Sequence, residues 1–420
     1  MPAFMPFRAY RYAPGTNFDA VIAPPYDVLS DQEIAALKAR EAHNITHIDI
    51  PAGGDLSRPG SAFAPVAGAA PYTRAAHLLR DWLAEGVLVA DETASYTVYR
   101  MSFTDASGAA RELVGVLGGL EVVDPGAGGV LPHERTTPKA VSDRLDLTRA
   151  TNANLSPVWG LTLATGLTKA LATPGESVGQ VTAQGVLHRV ERVVDPARIA
   201  EISAIIADDD VLIADGHHRY AISRTYRDEV RAATGRTDTA AEYTLAFVGE
   251  LVADQLSVEA IHRLYSGVCW EHLYGALAAC FAMAPLDQVL PETLAEMVDR
   301  GRLVLLHPEG SATWLIPKPG AFDGVRALDG AYLEHALAAV AADPSGASLQ
   351  VSYQHGLAET LDAVRSHTGG VLVRPTSIAE IRRTAREGLL MPPKSTFFTP
   401  KLRTGFVIRP TGLAADANPV

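Results

Sequence analysis

Cysteine, lysine and long apolar runs are all scarce in this chain, and each scarcity removes a class of protein. The two cysteines, Cys269 and Cys280, lack CxxC spacing, which argues against a zinc ribbon or a disulfide framework and leaves them a packing role. No apolar run approaches the roughly 20 residues that span a bilayer. The opening MPAFMPFRAYRY has no apolar signal-peptide core, so a cytoplasmic protein with no membrane partner is expected. The net charge of -12 provides no overall basic surface for the phosphates of a duplex, so no nucleic-acid partner is expected either. There is no GxxxxGK[ST] phosphate loop and no HExxH metal motif. Lysine occurs six times against thirty arginines, yet two of the six, Lys394 and Lys401, lie together near the C-terminus.

What is present concentrates in VLIADGHHRYAISRTY, residues 211–226. Residues 211–214 are an apolar run of buried-strand type, Asp215-Gly216 is a turn dipeptide, and Tyr220, Ala221, Ile222 and Tyr226 follow at helical spacing. A helix is therefore expected to begin near His217. Its first-turn N–H groups lack intrahelical partners and carry the positive end of the dipole, so with His217, His218 and Arg219 they make an anion site. The plainer alternative has Asp215 as an N-cap and the histidines as partly exposed polar groups. Zinc binding by His217 and His218 is disfavoured, because adjacent helical side chains point about 100° apart.

A second stretch, GAGGVLPHERTTPKAVSDRLDLTRATNAN, spans residues 126–154. Its glycines let backbone approach a ligand, and His133, Glu134, Arg135 and Lys139 bring an acid, a base and cations close together. A helix expected over 140–150 would expose Asp143, Arg144 and Asp146. The segment APPYD, residues 23–27, is extended by its prolines and could line a pocket, although a Pro-rich turn needs no function to explain it. Ser30 and Glu33 make a capping box for a helix reaching about Ala42, and the alternating ITHIDI, residues 45–50, reads as a strand. A further helix runs to Gly86, and strands cover 94–103 and 111–120. Beyond about residue 266, helices and strands alternate as far as a helix capped by Ser377 and stopped at Gly388. The class is α/β, mixed α+β, divided into residues 1–110, 111–265 and 266–420.

LPHE followed by an apolar strand and DGHHR resembles the free serine kinases of the ParB/sulfiredoxin-like superfamily. The resemblance implies a ParB/sulfiredoxin-like core between an N-terminal α/β extension and a C-terminal α/β domain. It also implies Glu134 as catalytic base, with His218 at the reacting centre and Asp215, Gly216, His217, His218 and Arg219 holding nucleotide phosphate. The PPKST loop after the last helix is similar to a terminal loop of those kinases, which places Lys394, Ser395 and Thr396 in the phosphate site. His133, Arg135 and Arg144 are left as substrate contacts. Over nearly its whole length, through APPYDV, LPHE, ADGHHRY and MPPKSTFF, the chain resembles the family called domain of unknown function 1015. Two departures from the kinases stand out: a longer interval between Glu134 and Asp215, and an N-terminal hundred residues without a counterpart.

The resulting expectation is a phosphotransferase that moves a phosphoryl group from ATP or ADP, carried with Mg2+, to the hydroxyl of L-serine or a related small molecule. Asp215 is then a conceivable magnesium partner. A phosphohydrolase using water at the same site and a non-catalytic nucleotide-binding switch are the alternatives. An ordinary Glu is ionised at neutral pH, so Glu134 needs no unusual shift to act as base.

Overall fold

The computed structural model describes residues 1–51, 70–105, 108–132, 141–341 and 348–412. Helices and strands alternate in a mixed α/β chain that forms two compact units. The first holds the described residues up to 257 together with 400–412; the second holds those from 258 to 399. This differs from the threefold division expected from sequence. Position 110 opens the strand Ala110–Glu121, which pairs antiparallel with Tyr96–Thr104 from Thr97↔Leu117 to Thr104↔Ala110. A hairpin whose two strands share one buried surface cannot be split between cores.

The first unit is organised by a nine-stranded sheet. Along it run Val130–Leu131, Val211–Asp215, Val158–Thr162, Tyr243–Glu250, Ala110–Glu121, Tyr96–Thr104, Val186–Val193 and Glu176–Ala183. Phe4–Met5 adds to Ala110–Glu121 beyond the reach of Tyr96–Thr104. Among the described residues two of its pairings are parallel, Val211–Asp215 with Val130–Leu131 and Tyr243–Glu250 with Val158–Thr162. Val211 to Ala214 are all buried, as a continuous apolar run on a sheet covered on both faces requires. Val211 and Ile213 pack with Val158, Val248 and the helix residues Ile202 and Ile206.

The second unit is a six-stranded antiparallel sheet in the order Phe281–Leu286, Ala312–Pro317, Leu303–Leu306, Gly369–Leu372, His262–Ser266, Gln350–Gln354. Alternation on Leu303–Leu306 sends Leu303 and Leu305 into one core with Leu273, Leu277, Leu333 and Leu337, and Val304 and Leu306 into another with Met297 and Val364. Successive strand side chains thus fill both faces. No helix among the described residues is long and apolar enough to cross a membrane.

One element differs from its expected type. Residues 45–50 form no strand; Thr46–Asp49 is a short helix. The cause is Asn44, whose buried side-chain oxygen accepts from the Thr46 N–H at 3.1 Å and its hydroxyl at 2.7 Å, closing an Asx turn that overrides the apolar alternation.

Candidate functional site

The strand Val211–Asp215 passes through Gly216 into the helix His217–Thr234. Gly216 has φ +86°, a left-handed conformation that L side chains rarely adopt. A Cβ there would also lie 3.1 Å from Arg219 Nε. The helix is anchored from behind by buried Tyr220, Ile222 and Tyr226. The Tyr220 hydroxyl donates to the Glu121 carbonyl at 3.0 Å and accepts from the Val123 N–H at 2.8 Å. Asp215 is not the N-cap: that position belongs to Gly216, and no side chain caps the helix.

The Asp215 carboxylate instead faces two cations, Arg219 at 3.3 Å and Lys401 Nζ at 3.4 Å. Arg219 folds back beneath the turn. Its guanidinium donates to the Pro157 carbonyl and lies 3.8 Å from Asp27. Burial depresses the Arg219 guanidinium, but Asp215 and Asp27 more than reverse this and hold it above its ordinary value. It is a clamp between the turn and the Pro24–Pro25–Tyr26–Asp27 segment, which therefore does more than make a bend.

Arg144 joins the cluster from the helix Val141–Thr151, where sequence had it exposed. Its side chain is only 11% exposed and lies 4.4 Å above the Tyr26 ring. It donates to the Asp49 carbonyl at 2.6 Å and carboxylate at 3.3 Å, and to Asp143 at 2.8 Å. Packing against Tyr26 and Asp49 explains the burial; a helix pattern alone does not reveal which polar face another segment will cover. Burial lowers Arg144, and Asp143, Asp49 and Tyr26 outweigh it to keep the guanidinium above its usual range. Burial raises Asp49, with Arg144 and Arg219 only partly offsetting it. Burial and then Asp27 push Tyr26 up to about 12. These groups line a cavity of about 50 Å³ whose walls include Tyr26, Asp49, Arg144, Ser156, Arg219 and Thr244.

Asp49, Ser156 and Lys401 are the residues sequence reasoning missed. Asp49 was hidden by reading its segment as a strand. Ser156 donates to Asp49 at 3.3 Å and shares a 3.0 Å hydrogen bond with Thr404, with no local motif to mark it. Lys401 carried one signal, lysine scarcity. His133, Glu134 and Arg135 lie outside the described residues. Among the described residues no group of three or more His, Cys, Asp or Glu side chains could hold a metal ion.

Lys394, Ser395 and Thr396 belong to the second unit. Lys394 sits at φ +58°, a strained conformation for a residue with a Cβ. The turn is pinned from below by buried Arg263, which donates to the carbonyls of Ile261, Lys394 (3.0 Å) and Pro393 (3.3 Å). The Ser395 hydroxyl donates to the Pro392 carbonyl at 2.7 Å, closing the turn. Arg263 is a strand residue that shapes this loop.

The chain belongs to the family described as a protein of unknown function, DUF1015, whose model matches residues 4–331. No curated protein matches. Among solved structures it is similar to a free serine kinase variant in complex with ADP, at 13% identity over 68% of this chain and 90% of that one, with a TM-score of 0.39. It is similar to a conserved hypothetical protein from Pyrococcus furiosus at 13% identity, 68% and 94% coverage and a TM-score of 0.37. SbnI with a C-terminal truncation, from Staphylococcus aureus, matches at 12% identity, 72% and 89% coverage and a TM-score of 0.38. Likeness at this level carries neither an activity nor a ligand to this chain.

Proposed function

We propose that the chain is a phosphotransferase that moves a phosphoryl group from a nucleotide to the hydroxyl of L-serine or a related small molecule. The observation that carries the reading is the meeting of Tyr26, Asp49, Arg144 and Arg219 around one cavity, with Arg219 tying Asp27 to Asp215 beside the N-terminus of an 18-residue helix. The motif order LPHE, ADGHHR, PPKST supports the same chemistry. In this mechanism Glu134 takes the proton of the acceptor hydroxyl. The acceptor oxygen forms its bond to phosphorus as the bond from phosphorus to the nucleotide oxygen breaks, leaving the charge on the departing phosphate. First-turn N–H groups at Gly216, His217 and His218 stabilise that charge, and such transfer is mainly positioning and electrostatics. Asp215 would be the protein partner of a magnesium ion carried in with ATP or ADP, which would supply neutralisation of the phosphate charge. Arg144, with His133 and Arg135, would orient the acceptor, and Lys394, Ser395 and Thr396 would contact phosphate.

The test is an assay of purified protein with ATP, ADP, CTP or pyrophosphate, magnesium and a panel of hydroxyl amino acids, read for phospho-product and free phosphate. Acceptor-dependent phospho-product is the expected result. Free phosphate without an acceptor would replace this reading with a phosphohydrolase, and saturable nucleotide binding with neither product would replace it with a non-catalytic switch.

A further inference from the structure

An open sheet has to keep its edge strands from pairing with other chains, and among the described residues three of the four edges of the two large sheets carry such protection. Val130–Leu131 is only two residues long. Glu176–Ala183 begins on a charge and bulges where its pairing with Val186–Val193 passes from Val190↔Gly179 to Glu191↔Ser177. Phe281–Leu286 contains Pro285, which has no N–H to donate.

The fourth edge, Gln350–Gln354 in the second unit, has none of these devices. Its five residues include no charge, proline or glycine, and its register with the neighbouring strand runs unbroken from His262↔Gln354 to Ser266↔Gln350. It ends the sheet among the described residues, and Gln350, Val351, Ser352 and Tyr353 are all exposed. Val351 and Tyr353, each 41% exposed, lie opposite Tyr265 and Arg263 and so share their face of the sheet. The Arg263 guanidinium holds the Tyr353 ring in place from 4.8 Å. The strand thus presents a row of main-chain donors and acceptors beside two strong strand-forming side chains.

The order of the residues says what completes this edge. Read in either direction the strand runs Gln, β-former, Ser, β-former, Gln. An antiparallel copy centred on Ser352 sets Gln350 opposite Gln354, Val351 opposite Tyr353, and Ser352 opposite itself. Each cross-strand pair is compatible, amide with amide, β-branched with aromatic, hydroxyl with hydroxyl, and no like charges meet. We propose that a second copy of this chain pairs antiparallel along Gln350–Gln354 about a twofold axis at Ser352, joining two six-stranded sheets into one. The pairing consumes both edges, so assembly closes at two copies. Five residues at about 3.4 Å each span only roughly 17 Å, an interface below standard size, so the dimer is reversible with an affinity of about micromolar. The inference stands independently of the phosphotransferase reading.

Light scattering of the full chain over a concentration series reaching about 100 μM tests it in the wild type, Ser352→Thr and Ser352→Lys. The wild type and the threonine variant are expected to pass from one copy to two as concentration rises. Ser352→Lys sets two ammonium groups against each other at the axis and should weaken the dimer about tenfold or more. A dimer that Ser352→Lys leaves within about twofold of wild type would overturn the proposal, as would assembly beyond two copies. A wild type that stays monomeric would overturn it in favour of a strand from another protein. Should Ser352→Lys fail to fold, cysteine cross-linking decides. Residue 352 meets its own copy at a Cα separation of about 4.5–5.5 Å, within disulfide range, whereas residue 350 meets residue 354. Mild oxidation should therefore link Ser352→Cys into a covalent dimer and leave Gln350→Cys at the background set by Cys269 and Cys280. Equal linkage in the two variants would overturn the proposal.

Discussion

Replacing Gly216 by alanine should cost far more than the methyl group's size suggests. Two penalties add. At φ +86° an L-residue carries a left-handed strain of about 1–2 kcal/mol. The new Cβ would also stand 3.1 Å from Arg219 Nε, 3.2 Å from its Cζ and 3.3 Å from the Val158 Cα, closer than ordinary contact. The Val158 backbone is locked in the sheet between Val211–Asp215 and Tyr243–Glu250, so Arg219 must give way. Moving it loosens its bonds to Pro157 and Asp215, and a hydrogen bond involving a charged group contributes roughly 1.5–3 kcal/mol. Gly216→Ala should therefore destabilise the first unit by about 3–4 kcal/mol. Gly235→Ala is the internal control: it caps the same helix at φ +70° with nothing within 4 Å of its would-be Cβ, and should cost only the left-handed strain. Native-state hydrogen exchange along His217–Thr234 in increasing urea measures both. If Gly216→Ala were no more costly than Gly235→Ala, the idea that Arg219 is clamped under the turn would be wrong.

Glu134→Gln should lower turnover by roughly 10²–10⁴-fold with nucleotide affinity within a few fold, since the amide keeps the shape and loses the base; undiminished turnover would remove Glu134 from the mechanism. Burial, reinforced by Arg403, lowers His188 to about 3, and burial, reinforced by Arg263 and then His355, lowers His262 to about 4. Both are neutral when folded, while an unfolded His takes up a proton below about 6.5, so their stabilisation is complete above that pH and is lost as pH falls toward 4 and then 3. Thermal midpoints should drop between pH 6.5 and 4.5, and His262→Asn should flatten the drop for the second unit; a flat wild-type profile over that window would show that neither histidine is buried as a neutral group. Arg263→Ala should strand the carbonyls of Pro393 and Lys394 and destabilise the second unit by about 2–4 kcal/mol, with faster hydrogen exchange in residues 394–398, and Lys should rescue little because it lacks the fork. Unchanged exchange in that loop would show that Arg263 does not shape it.

The sequence by itself determined the mixed α/β class, the strand Val211–Asp215, the helix that follows from His217, and the alternation of elements through the second unit. Those features are local: apolar period, a turn dipeptide and capping residues act over a few positions, so one stretch of chain suffices to read them. Tertiary structure decided which charges meet. Asp27, Asp49, Arg144 and Lys401 are separated from Asp215 by many elements, and only the folding of the 24–27 segment, the Asn44-capped turn and the strand-like return at Thr404 brings them into one cluster. It also decided that Arg219 and Arg144 are buried clamps, because whether a charged side chain stays in water depends on what packs over it from elsewhere in the chain, which no local pattern encodes.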